Sequence, residues 1–280
     1  MTKEKSETSI LSKIEQVDRR VLYWVLILLI VIPTLAPMGL PIPISQMTRS
    51  FRAALEAIPN GGVVVLDTSL SVGSLPEIGP GAEVMGKYLA ARPVKVIIWS
   101  VTTAEGPMLA EKYVVPYLEK AGKKYGTDYV NLGYIPGEDI TLAKLAADIA
   151  YVKKDYRGTD TTGLPILKDV KTAKDVALAI VIEAGGEGSY YVGQWYTPYK
   201  APVATICTGV LVPIRIHFFG AGQMVGIAPG SRGIAELELL TGFRGTAVAT
   251  QDVLSVTHLY VLLAVIAGNI AFLYRKRLKR

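Results

Sequence analysis

The stretch VKVIIWSVTTAEGPMLAEKYVVPYLEKAGKKYGTDYVNLGYIPGEDITLAKLAADI, residues 94–149, decides the fold. It opens on Val94–Val101, a β-branched run that is mostly apolar instead of alternating, which is how a strand covered on both faces reads. A helical pattern over Pro107–Lys123 follows, then a second such run, Asp128–Ile135, and a second helical pattern, Asp139–Lys153. In the latter, Leu142, Leu145, Ala146 and Ile149 recur at helical spacing, with Lys144 and Asp148 on the other side. Strand–helix–strand–helix in this order predicts parallel strands joined by right-handed crossovers.

The same alternation continues in both directions. Strands are expected at 63–67, 176–184, 202–210 and 223–228, with helices at Met47–Ile58, Gly81–Arg92, Gly188–Tyr199 and Ser231–Thr241. The fold class is therefore α/β: a mostly parallel, Rossmann-like, three-layer domain. Pro116 inside the 107–123 helix is a departure, and 154–172, with Gly158, Gly163 and Pro165, reads as a surface excursion.

Two apolar segments bracket that domain. VLSVTHLYVLLAVIAGNIAFLY, 253–274, has no ionisable group except His258 and at about 1.5 Å per residue is long enough for a hydrocarbon core of about 30 Å. VLYWVLILLIVIPTLAPMGL, 21–40, is strongly apolar to Ile32, after which Pro33 and Pro37 should kink or unwind its far end. A buried core helix is the plain alternative for each, and uncharged runs of this length argue against it. A cleaved signal peptide competes for the first, but the 20-residue leader is long and Thr34-Leu35-Ala36 followed by Pro37 is a poor cleavage site.

Charge sets the expected orientation. Residues 1–20 hold Lys3, Lys5, Lys13, Arg19 and Arg20 against Glu4, Glu7, Glu15 and Asp18. The last six, RKRLKR, hold five positive charges and no negative one, so the net +6 comes from the two ends and the remaining basic and acidic residues balance. Positive-inside counting makes 1–20 and 275–280 cytoplasmic tails, 21–40 and 253–274 transmembrane helices, and 41–252 an extracytoplasmic domain of a two-pass cell-membrane protein. Arg49, Arg52 and Arg244 lie near the spans on the wrong side and count against it. The basic tail touches anionic lipid headgroups, and a neutral domain implies no nucleic-acid partner. Cys207 is the single cysteine, so no intrachain disulfide braces the domain.

In open α/β sheets ligands sit beyond the carboxyl ends of the strands. Those positions give a candidate crevice of Asp67, Ser69, Ser71, Thr102, Glu183, Glu187, Thr208 and Arg232. Helix caps and tight turns need the same residue types, and that is the bland alternative for each of them. GGEGSYYVG lacks the third glycine of a dinucleotide fingerprint, GAGQMVG precedes a strand instead of following one, and no GxxxxGK[ST] is present, so no cofactor is expected. Pro229–Gly233 ahead of a helix is the most anion-friendly spot, with Arg232 beside free backbone N–H groups; an ordinary helix start explains it equally.

Catalytic signatures are sparse. A Ser-His-Asp set would have to use His217, in the apolar context PIRIHFF, with Ser69 or Ser71, and no GxSxG elbow exists. One cysteine and one histidine outside the spans do not make a zinc site, and no metal is expected. Tyr190, Tyr191, Trp195, Tyr196 and Tyr199 cluster, and could line a pocket, meet a partner, lie at the membrane interface or simply pack over the sheet. Ala264 and Gly268, spaced small-xxx-small, would allow close approach of the second span to the first or to a neighbouring copy.

Three stretches, DYVNLGYIPGEDITLAKLAADI, LPILKDVKTAKDVALAIVIEAG and GQMVGIAPGSRGIAELELL, resemble a prokaryotic family of double-spanning membrane proteins with no assigned activity. The family pattern has Gly-Gly before its basic residue and Tyr between the two glutamates, where this chain has Ser231 and Leu237. The resemblance implies an intact α/β domain between two spans and supplies no reaction. The expected function is thus a membrane-anchored α/β module that binds a protein of the cell envelope, a second copy of itself or a small ligand. Two rivals are an extracytoplasmic hydrolase-type enzyme using Asp67, Glu183 and Glu187, with or without a divalent cation, and a small subunit of a transport complex.

Overall fold

A computed structural model describes residues 17–168, 170–243 and 245–278. Most of the expected amino-terminal tail (1–16), Arg244 and the last two residues of the basic tail lie outside the described residues. The chain divides into two compact units, Ile42–Val248 and the terminal segments Met1–Pro41 with Ala249–Arg280.

The central unit runs α1 (Gln46–Glu56), β1 (Val63–Ser69), α2 (Leu75–Ala90), β2 (Lys95–Ser100), α3 (Gly106–Tyr113), α4 (Val115–Lys120), β3 (Tyr129–Tyr134), α5 (Glu138–Ala147), β4 (Val176–Glu183), α6 (Glu187–Tyr191), β5 (Val203–Cys207), α7 (Val212–Gly220), β6 (Gly226–Pro229) and α8 (Gly230–Thr241). All six strands pair in parallel, in the order β3-β2-β1-β4-β5-β6. Residues alternate between two cores: Val64, Leu66, Val96, Ile98, Ile180 and Ile182 face one, and Val65, Ile97, Trp99, Ala179 and Val181 the other. Helices α1, α2, α3, α4 and α8 cover the first face; α5, α6 and α7 pack on the second. Uniformly apolar strands are therefore needed, because neither face meets water.

Departures have local causes. The expected 107–123 helix breaks into α3 and α4 at Val114, because Pro116 at the second position of α4 cannot continue the hydrogen-bond ladder of α3. The break also lets α2 approach: a Cβ on Gly86 would lie 3.0 Å from Val114 Cα. The 154–172 stretch is not purely a surface excursion, since Ile166, Leu167 and Val170 are buried in the second core. Helix α7 arises from the PIRIHFF run, in which sequence reading had placed no element.

In the terminal unit one described helix is long and apolar enough to cross a membrane, Ala247–Tyr274, with mean hydropathy 2.0. It belongs to a continuous helix that starts before the expected 253 and reaches Leu278. The first segment does not match its expected 21–40 span. Its helix is Arg19–Leu35, 17 residues, with Pro33 inside. At about 1.5 Å per residue this is about 26 Å, short of the hydrocarbon thickness. It stops because Ala36 precedes Pro37, and a residue before proline is pushed out of the α region. The freed backbone beyond it is held by Asp252, whose carboxylate accepts the N–H groups of Gly39 (2.8 Å) and Leu40 (2.9 Å). Tyr260 donates to Leu22 O at 2.9 Å.

Candidate functional site

Strand order reverses between β1 and β4, both of which leave the sheet at its carboxyl edge, so the crevice of a doubly wound sheet falls there. β1 ends on Asp67-Thr68-Ser69 and β4 on Glu183, with Ser69 and Glu183 paired in register. Of the eight residues expected at this edge, Asp67, Ser69, Thr102, Glu183 and Glu187 join connected polar networks.

Glu183 sits at the centre of the larger network. Arg215, from α7, meets it with both arms: Nε to Oε1 and Nη2 to Oε2, each 2.7 Å. Thr205 Oγ1 donates to Oε1 at 2.8 Å and Gly188 N to Oε2 at 2.7 Å. The remaining guanidinium groups reach Ser189 Oγ (2.6 Å) and Gly185 O (2.9 Å). Both partners are sealed from water, Glu183 at 0% and Arg215 at 1% side-chain exposure. Such a pair is tolerated in a low-dielectric interior because both carboxylate oxygens and all three guanidinium nitrogens have partners. Gly188 is required here, since a Cβ would come within 2.4 Å of Glu183 Oε1.

Asp67 is also wholly buried. Ser69 Oγ donates to its Oδ1 (2.7 Å) and Tyr191 Oη to its Oδ2 (3.0 Å), while Trp99 Nε1 donates to Tyr191 Oη (2.7 Å). Burial outweighs these bonds and pushes the Asp67 carboxyl up to about 8, with Glu187 and Glu183 adding repulsion. Glu187 accepts from Thr102 Oγ1 (2.5 Å) and Gly185 N (3.1 Å), and burial raises its carboxyl as well.

The other three candidates stand apart. Ser71 and Ser74 bond each other's backbone N–H groups and start α2, a capping role. Thr208 is buried beside Gly209, and its Oγ1 has no partner. Arg232 points away from the crevice, pairing with Glu236 at 3.2 Å and donating to Pro43 O at 3.1 Å. His217 is exposed, two residues beyond inward-facing Arg215 and so on another side of α7. Ser69 is committed to Asp67, and Ser71 to Ser74. The Ser-His-Asp set is not assembled. Among the described residues, no three His, Cys, Asp or Glu side chains are grouped to hold a metal ion.

Of the aromatic cluster, Tyr191 and Trp195 are core residues: Trp195 stacks edge-on against Trp99 at 5.8 Å and donates to Leu142 O at 3.1 Å. A π-helical turn, Val192–Tyr196, links the two. Tyr190, half-exposed, donates to Glu138. Sequence reading missed Arg215 and Tyr191 as members of the site. The available signal for the first was a lone cation inside an apolar run, which must either reach water or find a buried carboxylate.

The edge presents to solvent a set of aliphatic side chains beside the exposed carboxylates of Glu105, Glu138 and Asp139. Val210 is 80% exposed, Val72 60%, Ile214 52% and Met108 50%. Two hydrogen bonds tie their loops together, Val72 N to Glu105 Oε2 and Gly209 N to Glu77 Oε1, both 2.7 Å. A groove of about 440 Å³ lies at the opposite, amino end of β4 and β5, lined chiefly by Ala53, Ala54, Ala57, Ala177, Pro202 and Val225. It holds no converging polar groups and none of the candidates. No family model matches the chain, and neither a search of curated proteins nor one of solved structures finds a match.

Proposed function

We propose that this chain is a membrane-anchored α/β module that docks a protein partner of the cell envelope on the carboxyl edge of its sheet. The observation that carries the reading is a division of labour at that edge. Asp67, Glu183 and Glu187 are buried with their oxygens engaged by hydrogen bonds from within the fold, while Val72, Val210, Ile214 and Met108 face solvent on the loops and helix starts around them. An enzyme working through Asp67, Glu183 and Glu187 would need at least one of them within reach of substrate, and an engaged, sealed carboxylate is not. Exposed aliphatic side chains gathered at one edge are what a partner interface uses.

The anchoring half of the proposal draws on the apolar termini. The Ala247–Tyr274 helix crosses the bilayer, and the shorter Arg19–Leu35 helix inserts beside it as a second pass, its length made up by tilt-free packing in a locally thinned bilayer. Lysine and arginine flank the outer ends of both, and this charge asymmetry supports the proposed orientation, with both termini in the cytoplasm and the domain outside.

The pair Val210→Asp and Ile214→Asp puts two charges on the docking face without touching the buried network. Co-purification of the partner from native membranes is expected to fall at least about tenfold, the effect of losing one central apolar anchor. Unchanged co-purification, or turnover of hydrolase substrates by the purified full-length chain, would contradict the proposal.

A further inference from the structure

We infer that the groove at the amino end of the sheet binds the alkyl tail of a free fatty acid, whose acid group is held at the rim by Lys174 and Lys200. The inference does not rest on the docking proposal, which concerns the opposite edge of the sheet.

The groove follows from how α1 divides its side chains. Phe51 and Leu55, one turn apart, are fully buried in the first core, and Gly226 lets the Phe51 backbone close on the start of β6. Ala53, Ala54 and Ala57 recur at the same helical spacing on a neighbouring side of α1 and line the groove. Their methyl groups stop short of Ala177 on β4, Pro202 before β5 and Val225 before β6, which form the facing wall. The space left between is about 440 Å³. That is the small end of ligand-sized pockets, suited to one alkyl chain and not to a two-chain lipid. The lining carries no charge, and Ser50 supplies its one hydroxyl. Such a wall suits a run of methylenes and gives a peptide backbone nothing to bond.

The rim is cationic. β4 and β5 start side by side, with Ala179 N donating to Pro202 O at 2.9 Å. Lys174 stands three residues before Ala177 and Lys200 two before Pro202, and both are exposed. Their flexible stems can lie along the apolar wall while the ammonium groups stay in water. Lys200 Nζ lies 5.0 Å from the ring centre of Tyr196, and neither lysine is ion-paired among the described residues. The nearest described carboxylates along the chain are engaged. Glu56 pairs with Arg52 at 2.7 Å, and Asp175 accepts the N–H groups of Lys171 (2.9 Å) and Thr172 (2.8 Å). An anion arriving here therefore meets two positive charges whose neighbouring acids are already occupied. Protein interfaces are depleted in lysine and lean on aromatic or arginine anchors, none of which lines this groove. Methyl groups within and ammonium groups at the mouth complement one kind of molecule, an alkyl chain ending in a carboxylate.

The test is photo-cross-linking of the full-length protein, held in amphipol, with a diazirine-bearing dodecanoic acid, the adducts being mapped by mass spectrometry. Adducts are expected on α1 and on the starts of β4 and β5. Unlabelled octanoate, decanoate and dodecanoate should displace them in that order, about tenfold more effectively for every two methylenes added. Dodecylamine, with the same tail and the opposite charge, should compete at least about tenfold less well than dodecanoate. Ala57→Trp fills the groove from an exposed position and should abolish these adducts; Ala53→Trp, also exposed, is the second filling variant should the first not fold. Lys174→Glu with Lys200→Glu should weaken displacement by dodecanoate about tenfold, less so at high salt. Adducts confined to the terminal helices would overturn the inference. So would groove adducts indifferent to both tryptophan variants, equal competition by dodecylamine and dodecanoate, or a protein cross-linked through Ala57→Cys.

Discussion

Replacing Arg215 with alanine is expected to cost the domain about 3–5 kcal/mol, the usual penalty for removing one member of a buried ion pair. Glu183 would be left fully enclosed with no countercharge, keeping only the hydroxyl of Thr205 and the N–H of Gly188. In a domain of this size such a loss lowers the melting temperature on the order of 10 °C, measurable by thermal or urea denaturation of the full-length protein. Lysine is not a substitute, because a point charge cannot bond both carboxylate oxygens as the guanidinium does. The double change Arg215→Met with Glu183→Leu removes both charges and should recover most of the loss, leaving the Ser189 and Thr205 hydroxyls to find new partners. If Arg215→Ala shifts stability by less than about 1 kcal/mol, the pair is not the brace of this edge.

Asp67 gives the second large effect, and it is one of pH. In the unfolded chain an aspartate releases its proton near 3.9; in the folded domain burial holds the carboxyl up to about 8. Below about pH 4 both states are protonated and the stability that Asp67 allows is fully present. Between these values the unfolded state binds fewer protons than the folded one, so stability falls as pH rises, and the loss is complete above about 8. Glu187 and Glu238, both raised by burial, act in the same direction. Asp67→Asn keeps the shape and an acceptor for Ser69 while removing the ionisation. It should flatten the pH dependence of urea unfolding between about pH 4 and 8 and raise stability at pH 8 on the order of a few kcal/mol. A variant that tracks the parent across that range would mean that Asp67 ionises freely in the fold.

The architecture was legible because both faces of the sheet are buried. Strand interiors such as 63–66 and 176–182 must then be apolar throughout, with polar residues only at their carboxyl ends, and the helices between them carry ordinary helical spacing. Strand ends were legible too, and with them Asp67, Glu183 and Glu187. Which ends meet was not, because strand order is a tertiary property: Glu183 joins Ser69 only because β4 returns to lie beside β1. Arg215 was hidden by its neighbours. A helix with isoleucines on its outer side and its one arginine inside inverts the pattern from which burial is normally read. Arg232 misled for the opposite reason: an exposed cation at a helix start suggests a ligand, yet it was claimed four residues later by Glu236. In the first apolar segment Pro33 and Pro37 signalled an unwound far end, and the stop itself falls at Leu35 because Ala36 precedes Pro37.

Cys207 is buried, so a cysteine introduced at an exposed position is the single accessible thiol of the described domain. Val210→Cys and Ala57→Cys place one at each end of the sheet, and a membrane-impermeant maleimide photo-cross-linker can be added to intact spheroplasts. Both thiols should label without lysis, and on illumination Val210→Cys should give one discrete protein adduct while Ala57→Cys gives none. Labelling that requires broken membranes would contradict the outward-facing domain; adducts from Ala57→Cys and not Val210→Cys would contradict docking at the carboxyl edge.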